Sequence, residues 1–255
     1  MHTQPDLPTH AQRLAATLVH TWTAFGTVLA LLMVHYAYQA EVEIVLWLFL
    51  AAMVIDGTDG MLARWLRVKE VLPGFDGALL DNIVDFITYV FAPMVLLWSC
   101  GYLPDGWLGG LSAAVPLMAS CYQFCRTDAK TDDHFFLGFP SYWNIVAFYV
   151  VVLELSTTTT AVLLGVLAVL VFVPIKYVYP SRTPFLWAVN MTLATLWLGL
   201  YGVVVAALPD PSAWLIGLSL VYVAYYVVAS LWLTARTARR THVERSAEAR
   251  EVAPV

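Results

Sequence analysis

Charged residues are scarce in this chain. Asp, Glu, Lys and Arg make up 12% of its 255 residues, where a soluble domain carries about 25%. With 60% hydrophobic residues and a mean hydropathy of +0.73, an ordinary soluble globule is excluded and an integral membrane protein remains. Cysteine is nearly missing. Cys121 and Cys125 stand one helical turn apart, but no His or further Cys completes a ligand set. With Cys100 they read as inert buried thiols. His20, His35 and His134 likewise show no ligand spacing. The first thirteen residues are polar and no small-residue cleavage site follows, so no cleavable signal peptide is expected. The net charge is -5, and nucleic acid is not expected as a partner.

The hydrophobic residues come in long runs. A span needs about 20 of them as a helix. Runs and breakers predict an all-α polytopic bundle of about eight transmembrane helices. They cover roughly Leu14–Tyr38, Ile44–Leu62, Leu79–Trp98, Trp107–Phe124, Tyr142–Leu155, Ala161–Tyr179, Phe185–Leu208 and Trp214–Thr234. The fifth is short, and an earlier start near Phe135 would place a kink at Pro140. Thr9 to Gln12 forms a capping-box pattern that would start the first helix; a frayed polar tail as far as Arg13 is the other reading. Thr157–Thr160 reads as an outer loop. One domain is expected over residues 1–234, followed by a flexible basic tail over 235–255.

The few basic residues are distributed one-sidedly. Arg13, Arg64, Arg67, Lys69, Arg126, Lys130, Lys176 and Arg182 fall on one side, with Arg236, Arg239, Arg240, Arg245 and Arg250 in the tail. Opposite loops hold only Glu41, Glu43, Asp105, Glu154 and Asp210. By the positive-inside rule both termini are cytoplasmic and the span count is even.

The acids are the anomaly. Asp56-Gly-Thr-Asp59-Gly60-Met-Leu-Ala63-Arg64 and Gly77-Ala-Leu-Leu-Asp81-Asn-Ile-Val-Asp85 lie between apolar runs, at the cytoplasmic ends of the second and third spans. An acid at membrane depth costs about 3 kcal/mol on insertion scales. Spacings of three and four put each pair on one helical face. Facing each other, they offer oxygen-only ligation suited to Mg²⁺ or Mn²⁺ and hence to phosphate chemistry. Interhelical polar glue is the structural alternative.

These residues resemble the signature of the CDP-alcohol phosphotransferase family, D-x-x-D-G-x-x-A-R…G-x-x-x-D-x-x-x-D, at Asp56, Asp59, Gly60, Ala63, Arg64, Gly77, Asp81 and Asp85. The spacer from Trp65 to Asp76 is longer than usual. It and the segment from Asp128 to Asn144 are similar to the bacterial branch that makes phosphatidylcholine. The resemblance implies a CDP-diacylglycerol-dependent phosphatidyltransferase of the bacterial inner membrane, with its site on the cytoplasmic side. It further implies choline as acceptor, phosphatidylcholine and CMP as products, two cations (Mn²⁺ or Mg²⁺), and a homodimer.

Asp56, Asp59, Asp81 and Asp85 are the implied metal ligands, with Asp85 as general base. Asp56, Gly60, Ala63, Arg64, Gly77 and Asp81 are the implied nucleotide and diphosphate contacts. Arg126 and Lys130, in a charged loop with Asp128, Asp132 and Asp133, are candidate phosphate contacts. Quaternary ammonium offers no N–H, so aromatic faces recognise it. Tyr89, Tyr122, Phe135, Phe139, Tyr142 and Trp143 are candidate choline contacts, and Phe136 and Phe124 lie in the same aromatic clusters. For any one of these rings, a place in the interfacial aromatic belt is the alternative. The rival functions are a sister enzyme with another acceptor such as serine, and a transporter with acids in its pathway.

The one-sided charge generates the first prediction. A topology reporter fused after Val255 reports the cytoplasm, and one inserted near Thr158 reports the opposite side. An external C-terminus would contradict the even span count.

Overall fold

The computed structural model describes residues 7–131 and 133–251; Asp132 and the ends of the chain lie outside the described residues. Thr9 does cap the first helix. Its hydroxyl accepts from the Gln12 N–H at 3.2 Å, and the Gln12 side chain accepts from the Thr9 N–H at 2.8 Å. From there α1 (His10–Tyr38) and α2 (Val42–Trp65) run as an antiparallel pair. A short α3 (Val68–Val71) leads into α4 (Gly77–Asp85), a π-helical turn (Phe86–Phe91) and α5 (Ala92–Ser99). Together α4, the π turn and α5 form one apolar span, Gly77–Ser99. Pro93 explains the change of winding. It has no N–H to bond back four residues to the Tyr89 carbonyl, so the turn ahead of it widens.

The second half contains α6 (Trp107–Cys125), α7 (Trp143–Val152), α8 (Thr157–Leu170), α9 (Trp187–Ala206) and α10 (Ala213–Glu251). Among the described residues, six spans are long and apolar enough to cross a membrane, while α7 and α8 are shorter apolar helices. The all-α bundle expected from hydropathy is therefore present, with two of its eight segments shortened. The sixth predicted segment overruns. It stops at Leu170, Pro174 intervenes, and Lys176–Val178 is a strand, β2. Antiparallel to it lies β1 (Phe135–Leu137), with Phe136 opposite Tyr177. Thr157–Thr160, expected as a loop, instead opens α8, because the Ser156 hydroxyl accepts from the Thr159 N–H at 3.1 Å. The segment expected as a flexible tail continues α10 as helix to Glu251.

The main core joins α2, α5, α7 and α9 around Phe49, Leu97, Phe148 and Tyr201, all fully buried. Helix α1 presses on α4 through small residues. A Cβ on Gly77 would stand 2.6 Å from the His20 ring, and one on Gly26 would collide with Val84. This close approach fixes the rotation of α4 and with it the direction of Asp81 and Asp85.

Gly138 closes the link between β1 and α7. Its φ is +83°, and a Cβ there would strike the Val171 carbonyl. Gly138→Ala is expected to destabilise the protein by about 1–3 kcal/mol, read as a lower Tm in detergent. Gly165→Ala, in open space within α8, is the control and is expected to be neutral or slightly stabilising.

Candidate active site

The acids converge as two helices bring them together. Asp56 comes from the C-terminal half of α2, and Asp81 and Asp85 from successive turns of α4. One carboxylate oxygen from each lies within 4.8 Å of the others. All three side chains line a cavity of about 280 Å³. Tyr89, one turn beyond Asp85, donates its hydroxyl to Asp56 Oδ2 at 2.7 Å. Lys130, from the loop after α6, brings its Nζ to 4.0 Å from Asp81 Oδ2. Three partly buried carboxylates this close repel one another. Their donor set is oxygen only, the chemistry of a hard divalent cation, and the residues fit such an ion.

Asp59 takes a different path. It is buried and accepts from the Thr23 hydroxyl of α1 at 2.7 Å. Two residues of the signature share its contact with α1. Ala63 packs in a small cluster with Ala16, Val19 and Val68, and Gly77 lies against His20. Gly60 faces the Arg64 guanidinium, with 3.2 Å between a built Cβ and Nη1, and Arg64 itself is exposed. The structure does not bring Gly60, Ala63, Arg64 and Gly77 to the cavity; Asp56, Asp81 and Asp85 it does.

Among the expected choline contacts, Tyr89 and Tyr142 line the cavity, their centroids 6.1 Å apart. Trp143 is fully buried in the core, its indole N–H given to Ser120 Oγ at 2.7 Å. Phe139 packs edge-on to Trp143 at 5.1 Å. Phe135 is buried with Val178 and Leu233, beneath the Lys176 ammonium. Tyr122 is exposed, beside Phe172 and under Arg126. Phe136 and Tyr179 do line the cavity. Tyr179 carries no signal in an apolar-run reading. The β-branched and aromatic residues of Lys176–Val178 suit a strand, but three residues are too few to separate it from the apolar run before it.

Arg126 and Lys130 both line the cavity. Arg126 is already engaged. It forms a two-pronged pair with Asp128, Nε to Oδ1 and Nη2 to Oδ2, both 2.7 Å. That bond holds the Asp128 carboxyl below its ordinary range and raises the guanidinium further. At Asp133 burial works upward, but Lys176 Nζ at 2.6 Å outweighs it and the carboxyl lies below its usual range. These two pairs tether the loop that carries Lys130.

With this geometry in view, similarity to known proteins identifies the family. The CDP-alcohol phosphatidyltransferase family model matches residues 16–175, which contain both acid pairs and the loop of Lys130. The chain belongs to that family. Among its relatives are proteins named phosphatidylcholine synthase. That of Legionella pneumophila is 42% identical over 230 residues, covering 88% of this chain and 90% of its own. That of Pseudomonas aeruginosa is 37% identical, covering 86% and 91%, and that of Borreliella burgdorferi 33%, covering 88% and 97%. CDP-alcohol phosphatidyltransferases generally use divalent ions, and the triad is the acidic cluster in this member that suits one.

The triad generates a prediction independent of turnover. Mn²⁺ titrated into the purified protein and followed by electron paramagnetic resonance is expected to bind. Asp56→Ala and Asp81→Ala are expected to abolish that binding at the same concentrations, because each removes one of three ligands. Arg64→Ala, outside the cavity, is expected to leave it intact. Unchanged Mn²⁺ binding in Asp81→Ala would remove the triad as a cation site.

Proposed function

We propose that this membrane enzyme transfers a phosphatidyl group from CDP-diacylglycerol to choline, releasing CMP. The observation that carries the reading is a single cavity walled by three converging carboxylates and by aromatic rings. The acids suit a diphosphate held through cations, and the rings suit an ammonium without N–H donors. Asp56, Asp81 and Asp85, joined by Asp59 for a second ion, would hold Mg²⁺ or Mn²⁺. Bound there, the ions would neutralise charge on the diphosphate as it is displaced.

The chain's own residues supply the rest. Asp85 accepts the proton of the choline hydroxyl. The freed oxygen bonds to the phosphatidyl phosphorus, and the bond from that phosphorus to the bridging oxygen breaks, so that CMP leaves with the electron pair. Tyr89 holds Asp56 by its hydroxyl and fixes that carboxylate's rotation. Lys130 is placed to follow negative charge from Asp81 to a substrate phosphate. We assign the nucleotide to Gly60, Ala63, Arg64 and Gly77, which lie outside the cavity lined by Asp56, Asp81 and Asp85. Tyr89 and Tyr142 are the choline contacts retained. Serine as acceptor would need a cationic partner for its carboxylate. Arg126, the residue suited to that task, is already paired with Asp128, which favours choline. The cytoplasmic face of a bacterial inner membrane, a homodimer, and a single catalytic domain ending near residue 234 complete the proposal.

Purified protein with CDP-diacylglycerol and choline is expected to release CMP, to stop with EDTA, and to recover with Mn²⁺ or Mg²⁺. Full turnover in metal-free buffer, or serine outcompeting choline, would contradict it. Asp85→Asn is expected to retain CDP-diacylglycerol binding while turnover falls about 10²- to 10⁴-fold, the usual contribution of a general base. Equal loss of binding and turnover would make Asp85 mainly a ligand.

A further inference from the structure

Tyr179 follows β2 and lies far in sequence from both acid pairs, yet its ring lines the same cavity as Asp56, Asp81 and Asp85. It stands within electrostatic reach of Asp56 and Asp81. The ring is only partly buried and stacks on Phe136, with centroids 4.4 Å apart and planes 29° apart. Phe136 in turn meets Tyr142 edge-on at 6.3 Å. Tyr142 leads to Tyr89 at 6.1 Å, whose hydroxyl is bound to Asp56. Four rings thus form an unbroken wall that ends at the carboxylates.

The backbone of Tyr179 is fixed from below. Thr183 is fully buried, and its hydroxyl accepts from the Tyr179 N–H at 2.8 Å while donating to the His134 carbonyl at 2.7 Å. One hydroxyl therefore ties the turn carrying Tyr179 to the turn ahead of β1, which carries Phe136. The two halves of the stacked pair are registered by the same atom.

We infer that Tyr179, backed by Phe136, is a specificity-determining residue that holds the quaternary ammonium of the acceptor, and that Thr183 is its positioning residue. This rests on the choline reading above. A ring face attracts a diffuse cation without requiring hydrogen bonds. A primary ammonium of the same charge brings three N–H donors, and the ring faces of Tyr179 and Phe136 offer them no hydrogen-bond acceptor, so those turned to the rings go unpaired at a desolvation cost. The wall therefore selects methylated over unmethylated amino alcohols.

The test uses the purified full-length protein. Tyr179→Leu keeps apolar bulk and removes the ring, and is expected to raise the KM for choline about 2- to 30-fold. The KM for CDP-diacylglycerol and the Mn²⁺ affinity should stay within about twofold of the parent, and the preference for choline over ethanolamine should shrink. Tyr179→Phe restores a ring and should behave like the parent. Thr183→Val should follow Tyr179→Leu, and Thr183→Ser should follow the parent. Tetramethylammonium, titrated calorimetrically, should bind the parent and bind Tyr179→Leu more weakly by the same factor. An unchanged choline KM in Tyr179→Leu, a Tyr179→Phe as impaired as the Leu variant, or a parallel rise in both KM values would each overturn the inference. If the parent releases no CMP with choline, the functional reading falls. The tetramethylammonium titration of the same two proteins then still decides the site.

Discussion

Three carboxylates held within 4.8 Å of one another are the constraint around which this molecule is arranged. At an effective dielectric of 20, two unit charges at that distance repel by about 3 kcal/mol. Carboxylates so placed separate unless something holds them. Here the restraint is mechanical first: α1 packs against α4 through Gly26 and Gly77, leaving α4 no freedom to rotate its acids away from Asp56. It is electrostatic second: Tyr89 gives a hydrogen bond to Asp56, and Lys130 lies near Asp81. The repulsion that remains makes the cavity attractive to cations, whether a metal ion or the head of an amino alcohol.

Helix α2 divides the labour. Asp56 turns to the cavity and its aromatic wall, while Asp59, three residues on, turns to Thr23 of α1. Ala63 and Gly77 share that second side with small or close contacts. A single stretch of nine residues thus serves two neighbouring surfaces. A compact signature can therefore shape a cavity and the helix packing beside it at once.

Much of this was legible in the sequence because it depends on local chemistry. The Thr9 cap, the acid pairs at three- and four-residue spacing, and the apolar runs of α1, α2, α6, α9 and α10 are read from neighbours in the chain. What escaped depends on distant contacts. Lys176–Val178 is apolar enough to pass for the end of a helix, and only pairing with Phe135–Leu137 makes it a strand. Trp143 stands beside Tyr142 in sequence, but the start of α7 points one ring into the core and leaves the other on the cavity. Tyr179 reaches the acids only through that strand and the turn that Thr183 fastens.

The π turn over Phe86–Phe91 has an evolutionary consequence. It accommodates one residue more than an α-helical turn would over the same rise. Removing one residue within the turn would tighten it to an α-helical turn and leave both flanks on their present faces. An α-helix advances by about 100° per residue, so a deletion in α4 or α5, where there is no such slack, would swing Asp81 and Asp85 by that angle relative to Met94, Leu96 and Leu97. The turn is therefore the place in the third span that tolerates a change of length, and the regular helix on either side of it is not.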